Sequence, residues 1–161
     1  MSDKTYIPDD EAAAQLPSQA GATLEALAAT IAARRDAGEE SYTHRLLTGS
    51  VDAPLKKVVE EANEVALAAK DVEAARAMHA AVAGHAHGHG ELAARCAAQV
   101  SAATDHLRYE AADVAYHLLV VLERYGIDLD EFAAELNARM TDEERPKGAL
   151  RIKPEHIKRG K

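Results

Sequence analysis

Residues 56–65 read Lys-Lys-Val-Val-Glu-Glu-Ala-Asn-Glu-Val, and the rest of the chain can be interpreted outward from this stretch. Wound as an α-helix, it places Glu61 and Glu64 on one face, because positions three apart are neighbours on a helix surface. Glu60 lies at the edge of that face. The opposite side carries a stripe of apolar residues with helical period, which predicts packing against a core. Its members are Val58, Val59, Ala62, Val65, Ala66 and Ala69.

The simplest interpretation of this acidic face is a solvated helix surface. Lys56 and Lys57 stand four residues before Glu60 and Glu61, which is the spacing of helical Lys–Glu ion pairs. Most charge runs are surfaces of this kind. Taken alone, residues 56–65 therefore favour an exposed face over a functional site.

A second acidic stretch favours a metal site instead. Residues 107–122 are mostly apolar, which predicts a largely buried helix, yet Glu110 and Asp113 again lie three apart within it. Acidic side chains are almost never fully buried unless they are paired or bound to a metal. Two acidic pairs at helical spacing, one on a buried helix, therefore suggest a shared divalent cation.

Together the two stretches resemble the all-α nucleotide pyrophosphatases, whose signature is similar to Glu60-Glu61-Ala62-Asn63-Glu64 followed by Glu110-Ala111-Ala112-Asp113. Further motifs are similar to the phosphoribosyl-ATP pyrophosphatase family. These are Ser41-Tyr42-Thr43, the run from Lys56 to Ala62, and Tyr109 to Asp113 leading into Tyr116-His117-Leu118-Leu119-Val120. The resemblance covers roughly residues 22–71 and 106–140. It departs at Val59, where glycine is expected, and in residues 72–105, which are mostly an insertion.

The resemblance implies hydrolysis of phosphoribosyl-ATP to phosphoribosyl-AMP and pyrophosphate, in histidine biosynthesis. It implies Mg²⁺ as cofactor and a homodimer whose interface completes the substrate pocket. The implied metal ligands are Glu61, Glu64, Glu110 and Asp113. Glu60 is expected to be a general base or an outer partner of the metal, and Lys56 and Lys57 are expected to meet phosphate charge or to pair with the glutamates. The implied substrate-binding residues are Ser41, Tyr42 and Thr43, which could also form an ordinary polar turn.

Two other functions stay open at this point. A house-cleaning pyrophosphatase for non-standard nucleoside triphosphates would share the carboxylates, although Ser41-Tyr42-Thr43 together with Lys56-Lys57 argues against it. A non-enzymatic helical protein could bind metal through His85, His87 and His89, which otherwise form a solvated tip. His117 follows Asp113 by four residues, and it is expected either to orient a carboxylate or to be a hydrogen-bonded core histidine.

The composition predicts one all-α domain without a membrane span. The 161 residues contain no tryptophan, one phenylalanine and one cysteine, Cys96, which excludes an internal disulfide and suggests the cytoplasm. The net charge is −8, yet residues 145–161 carry seven Lys or Arg residues and one acid. The remaining chain is strongly acidic, so binding to nucleic acid is not expected.

The order of elements predicts a loose leader over residues 1–21, a helical pyrophosphatase domain over residues 22–140, and a basic tail over residues 141–161. Four main helices are expected. The first begins at Thr23 as N-cap and stops at Gly38, and a polar loop spans residues 39–50. Asp52 is expected to cap the helix of the first acidic stretch. The last helix opens with Asp128 and Glu131 at capping-box spacing and extends through Met140.

The insertion over residues 72–105 is predicted to lengthen a helical hairpin without disturbing the carboxylates. Facing residues in an antiparallel hairpin share one midpoint. That midpoint is residue 87 both for Glu61 with Asp113 and for Glu64 with Glu110. Residue 87 lies between Gly84 and Gly90 at the expected turn, so the insertion is expected to lengthen both helices of the hairpin about equally. The hairpin tip should then lie on the order of 30 Å from the acids, at about 1.5 Å per helical residue.

Overall fold

The structure, a computed structural model, describes residues 19–84 and 90–153. In chain order it consists of α1 (Gln19–Ala33), a 3-10 turn (Arg34–Asp36), α2 (Tyr42–Thr48), α3 (Asp52–Ala83), α4 (Gly90–Arg124) and α5 (Leu129–Asn137). These residues contain no β-strand, so the predicted all-α fold is confirmed. Within the same ranges, no helix combines the length and the apolar character needed to cross a bilayer.

The two long helices, α3 and α4, pack along each other as an antiparallel hairpin. Its predicted register is confirmed, because Glu61 of α3 lies beside Glu110 and Asp113 of α4. The outer ends of both helices are made of the insertion, and α3 continues without a break to Ala83. The tip histidines His85, His87 and His89 lie outside the described residues.

The core lies at the opposite end of the hairpin, where α1 and α2 pack against α4. Its buried members are Ile31, Leu46, Leu47, Leu119 and Val120, with Leu27, Ala53, Tyr116, Leu122 and Leu129 partly buried around them. Farther along the hairpin, the only apolar side chains that the described residues bury are Ala68, Val72 and Cys96. Two helices alone can bury only a narrow stripe, so the arms of the hairpin stay largely exposed.

The prediction of a loop over residues 39–50 is wrong, because α2 occupies most of it. Ser41 is its N-cap, and the Ser41 hydroxyl accepts a hydrogen bond from the His44 N–H at 3.3 Å. At the other end, the Arg124 guanidinium donates to the carbonyl oxygens of Leu46, Leu47 and Gly49 at 2.7–2.8 Å. Isolated helices this short are unstable in water, so these contacts and core packing hold α2 in place.

Several helix boundaries differ from the predicted ones. Helix α1 already includes Gln19, so Thr23 lies inside it and is not its N-cap. Asp52 is the first residue of α3 rather than its cap, and its backbone N–H donates to the Ser50 hydroxyl. The capping box of Asp128 and Glu131 is confirmed. Its helix ends at Asn137, before Met140.

The described part of the basic segment, residues 141–153, folds back onto the end of α5. The Arg145 side chain donates to the carbonyl oxygens of Asn137 at 3.1 Å and Met140 at 2.9 Å. The Asn137 side chain in turn donates to the Leu150 carbonyl at 3.1 Å. The bond from Arg145 to Asn137 satisfies a carbonyl group at the C-terminus of α5, where the last carbonyls lack partners within the helix.

Candidate active site

Three carboxylates from the facing helices of the hairpin converge on one point. One oxygen each from Glu61, Glu110 and Asp113 lies within 4.8 Å of the other two. Glu61 is 4% exposed and Glu110 is 7% exposed. Burying like charges this close together is unfavourable unless a cation compensates them. The cluster arises because the acids are three residues apart on α4 and because the hairpin register brings Glu61 opposite them.

Lys57 supplies part of the compensating charge. Its Nζ lies 2.6 Å from Glu61 Oε1 and 3.4 Å from Glu60 Oε2. The hydrogen bond from Lys57 holds the pKa of Glu61 below its usual range, and the same contact raises the pKa of Lys57. One ammonium group is nevertheless set against three clustered carboxylates, so the site keeps a strong preference for a further cation.

Glu64, the fourth predicted metal ligand, lies beside the cluster rather than in it. Its carboxyl group shares a hydrogen bond with Glu61, which raises the pKa of Glu64, and the charge of Glu110 raises it further. A hydrogen bond between two carboxyl groups needs a proton on one of them. The two carboxyl groups are therefore linked, with the pKa of Glu64 raised and that of Glu61 lowered.

His117 is a buried histidine with hydrogen bonds on both ring nitrogens, as one of the two sequence interpretations expected. Its Nδ1 lies 3.0 Å from the Asp113 carbonyl oxygen, which can only accept, so Nδ1 carries the proton. Nε2 then accepts from the Tyr42 hydroxyl at 3.1 Å. His117 Nδ1 also lies 3.7 Å from Glu61 Oε1. The imidazole therefore joins α2 to the acidic cluster.

The Ser41-Tyr42-Thr43 motif connects α2 to α4. Ser41 caps α2, Tyr42 contacts His117, and the Thr43 hydroxyl lies 2.7 Å from the hydroxyl of Tyr116. Burial raises the pKa of Tyr42. Tyr42 nevertheless remains 45% exposed, which leaves one side of its ring open to a ligand. The motif thus has a structural role beside the cluster, and its predicted contact with substrate stays a prediction.

The two adjacent lysines lie on different sides of α3. Lys57 faces the acidic cluster, whereas Lys56 lines an open depression on the outer surface of α3 together with Asp52, Leu55, Val59 and Glu60. Consecutive helical residues are about 100° apart, so one of the pair necessarily turns away from α4. Both lysines were predicted to have the same role, and the structure separates them.

His106 is a further neighbour of the acidic cluster, and it was not predicted from the sequence. Its Nε2 lies 2.8 Å from Glu110 Oε1, although the imidazole is largely exposed. The two residues are four apart on α4, the spacing of helical side-chain pairs. That spacing is the signal that could have identified His106 as a neighbour of the cluster.

The comparisons with known proteins agree with this geometry. The sequence profile described as phosphoribosyl-ATP pyrophosphohydrolase matches residues 24–140. The chain belongs to this family. A phosphoribosyl-ATP pyrophosphatase of Paracidovorax citrulli is 36% identical over 123 residues, which cover 74% of the chain and 71% of that relative. A protein of the same name from Limosilactobacillus fermentum is 34% identical over 117 residues, covering 72% of the chain and 82% of the relative.

A longer relative, the histidine biosynthesis bifunctional protein HisIE of Halalkalibacterium halodurans, is 36% identical over 118 residues. These residues cover 73% of the chain and 41% of that protein. No solved structure gives a significant match. Membership of the phosphoribosyl-ATP pyrophosphohydrolase family confirms the predicted family and the prediction that the chain is a hydrolase.

The cluster of this pyrophosphohydrolase fits a magnesium ion by the chemistry of its donors. Mg²⁺ prefers hard oxygen ligands and keeps some of its bound water. Glu61, Glu110 and Asp113 offer carboxylate oxygens only, and their negative charge exceeds the single positive charge of Lys57. Asp113 is the least buried of the three, which leaves an open side for water and for substrate oxygens.

Proposed function

We propose that the protein hydrolyses phosphoribosyl-ATP to phosphoribosyl-AMP and pyrophosphate in histidine biosynthesis. The observation that carries the proposal is the convergence of Glu61, Glu110 and Asp113 in a chain of the phosphoribosyl-ATP pyrophosphohydrolase family. The relatives named phosphoribosyl-ATP pyrophosphatase support it, as does the one named a histidine biosynthesis bifunctional protein. Location in the cytoplasm is part of the proposal.

The proposed cofactor is Mg²⁺, held by Glu61, Glu110 and Asp113, with Glu64 beside them as the fourth proposed ligand. When bound there, Mg²⁺ would neutralise polyphosphate charge and lower the pKa of a bound water. The chain's own contribution is to hold the carboxylates in place. The hairpin fixes their separation, and His117 ties the backbone of Asp113 to Tyr42 on α2.

The remaining residues are assigned by their positions around the cluster. Glu60 is half-exposed and lies one turn before Glu64, so its carboxylate can accept a proton from water at the edge of the site. Lys57 and Lys56 are proposed to meet phosphate groups from two sides of α3. Tyr42 and Thr43 are proposed to contact the nucleotide, while Ser41 holds the turn that presents them.

The proposed domain organisation keeps a leader over residues 1–21, a catalytic domain over residues 22–140, and a basic tail over residues 141–161. A homodimer is proposed because one hairpin leaves large apolar side chains uncovered. The most exposed of these on α3 and α4 are Val59, Leu67, Met78 and Tyr109. That the interface between the two copies completes the substrate pocket is part of the same proposal.

The decisive experiment is to measure pyrophosphate release from phosphoribosyl-ATP with and without Mg²⁺. We expect Glu61→Gln and Asp113→Asn to lower Mg²⁺-dependent turnover by at least about 100-fold, more than is typical for loss of an outer partner. The matched control is Glu73→Gln on the same helix, whose exposed carboxylate pairs with Arg76 and should leave turnover unchanged. Near-normal turnover in Glu61→Gln or Asp113→Asn would show that the site is elsewhere.

The same assay separates the proposal from a house-cleaning pyrophosphatase. Phosphoribosyl-ATP and a panel of non-standard nucleoside triphosphates are compared at equal concentration by kcat/KM. We expect phosphoribosyl-ATP to be preferred. If a free nucleoside triphosphate is preferred, the proposed hydrolase activity and the carboxylate site stand, but the proposed substrate is wrong.

A further inference from the structure

We propose that Lys57 is the internal counter-ion of Glu61, that a bound metal displaces it, and that the displaced ammonium group becomes available to substrate phosphate. This inference rests on the proposed function, because it takes Glu61 as a metal ligand. In the metal-free protein, Lys57 then has a second role as the counter-ion of Glu61. Its neighbour Lys56 has no such role.

The contact between Lys57 and Glu61 is short, and it involves a buried carboxylate. Nζ lies 2.6 Å from Glu61 Oε1, and the Glu61 side chain is only 5% exposed. Among the described residues, Lys57 is the only lysine or arginine placed against the three clustered carboxylates. Its other partner, Glu60 at 3.4 Å, has a side chain that is 44% exposed. Moving toward Glu60 would therefore take the ammonium group out of the cluster and toward solvent.

A divalent ion and this ammonium group cannot both sit against Glu61 without strong repulsion. A magnesium ion lies about 2.1 Å from each ligand oxygen. With Nζ 2.6 Å from Oε1 of the same carboxylate, the two cations would be only a few ångströms apart. Repulsion at that distance is large in a partly buried site, where water screens charges poorly. Metal binding and the Lys57–Glu61 contact are therefore alternatives.

Displacement of Lys57 also couples metal binding to the binding of substrate phosphate. Once its contact with Glu61 is broken, Lys57 keeps only the exposed Glu60 as a partner and can instead meet a phosphate group. Anything that binds Lys57 outside the cluster also removes a competitor of the metal. By thermodynamic linkage, metal and phosphate then strengthen each other's binding.

A simple positioning role for Lys57 predicts the opposite result. If Lys57 only held Glu61 in the orientation needed by the metal, replacing Lys57 would weaken metal binding. If Lys57 competes with the metal, replacing it by a neutral side chain strengthens metal binding. The sign of the change in metal affinity therefore distinguishes the two roles.

The test is calorimetric titration of the full-length protein with Mg²⁺, and with Mn²⁺ followed by electron paramagnetic resonance. We expect Lys57→Gln to bind either ion about tenfold more tightly than the original protein, because a nearby positive charge has been removed. Lys57→Arg keeps the charge and should bind metal no more tightly. The matched control, Lys56→Gln, removes a charge from the outer surface of α3 and should change the affinity less than about twofold.

Equal or weaker metal binding by Lys57→Gln would overturn the inference while leaving the proposed function standing. Absence of metal binding by the original protein would instead overturn the proposed metal site. If Lys57→Gln does not fold without metal, a crystal structure of the original protein with Mg²⁺ decides the question. We expect the Nζ–Oε1 distance to lengthen beyond hydrogen-bonding range, and an unchanged 2.6 Å contact beside bound metal would overturn the inference.

Discussion

Glu61 and Asp113 are proposed to hold the same metal, yet their surroundings without metal are unequal. Glu61 is paired with Lys57, whereas the charge of Asp113 adds to the repulsion within the cluster. Without Mg²⁺, we expect Asp113→Asn to keep or raise the melting temperature, because it relieves repulsion at nearly constant volume. Glu61→Gln should lower the free energy of unfolding by about 1–2 kcal/mol, because it removes the carboxylate partner of Lys57.

Thermal unfolding in a chelating buffer, followed by circular dichroism, measures both effects. Adding Lys57→Gln to Glu61→Gln provides the control, since the second substitution removes the charge that has lost its buried partner and keeps only the half-exposed Glu60 among the described residues. A stabilised Glu61→Gln protein, or a clearly destabilised Asp113→Asn protein, would contradict the assignment of Lys57 as the counter-ion.

Two glycines at helix ends should respond in opposite directions to an added methyl group. Gly126 has a φ of +68°, where L-residues are strained, although nothing lies within 4 Å of an added Cβ. Gly84 has helical angles and ordinary contacts. In urea unfolding, we expect Gly126→Ala to cost about 1–2 kcal/mol. Gly84→Ala should be neutral or stabilise by up to about 1 kcal/mol. Equal effects would contradict the left-handed conformation of Gly126.

At the scale of single residues, spacing predicted the convergence of the carboxylates but not the partners around them. Glu110 and Asp113 follow from a three-residue repeat, which any helix places on one face. The roles of Lys56 and Lys57 depend on the rotation of α3 about its axis against α4, a tertiary property. The contact of Tyr42 with His117 joins residues 75 positions apart, and no local pattern encodes it.

Among the elements, α2 is the one that the sequence did not reveal. Its seven residues are too few for a clear period, and part of its support comes from side chains of α4. The long helices and the capping box of α5 were predictable, because their signals are local. Arg124 had no such signal, although its guanidinium satisfies three carbonyl groups at the end of α2.

We therefore expect Arg124→Met to lower the free energy of unfolding by about 2–3 kcal/mol, because three hydrogen bonds from one charged group are lost. The control is Arg95→Met on the same helix. Among the described residues Arg95 pairs only with Glu91, both side chains are more than 70% exposed, and the expected change is below about 0.5 kcal/mol. Urea unfolding of both variants measures the difference. Similar costs for the two would show that α2 does not depend on Arg124.

For the molecule as a whole, the unpaired apolar surface of the hairpin leads us to expect a dimer. Val59 is 71% exposed and Tyr109 is 64% exposed, values that are high for large apolar side chains on otherwise ordered helices. Sedimentation equilibrium at micromolar concentration should give twice the chain mass of 17.2 kDa. A monomer with full activity would show that one chain forms a complete site.

The length of the arms leads to a second expectation for the whole molecule. Glu64 and Ala83 lie 19 residues apart on the unbroken α3, so the end of α3 at Ala83 is separated from Glu64 by roughly 30 Å at about 1.5 Å per residue. Replacing His85, His87 and His89 together by serine should leave Mg²⁺-dependent turnover unchanged. Measured turnover that falls severalfold would indicate that the tip reaches a catalytic site, for example that of a partner subunit.

The insertion also constrains how the length of this hairpin can change. Each residue added to one arm turns everything beyond it by about 100°, so a single addition would rotate Val72 or Cys96 off the seam between the helices. Seven residues make almost two full turns and leave an error of only about 20°. Lineages that lengthen or shorten the arms are therefore expected to do so by matched steps of about 7, 11 or 18 residues, which come closest to whole turns. Packing between α3 and α4 therefore limits the insertion lengths that the hairpin tolerates, while the acidic residues keep their register.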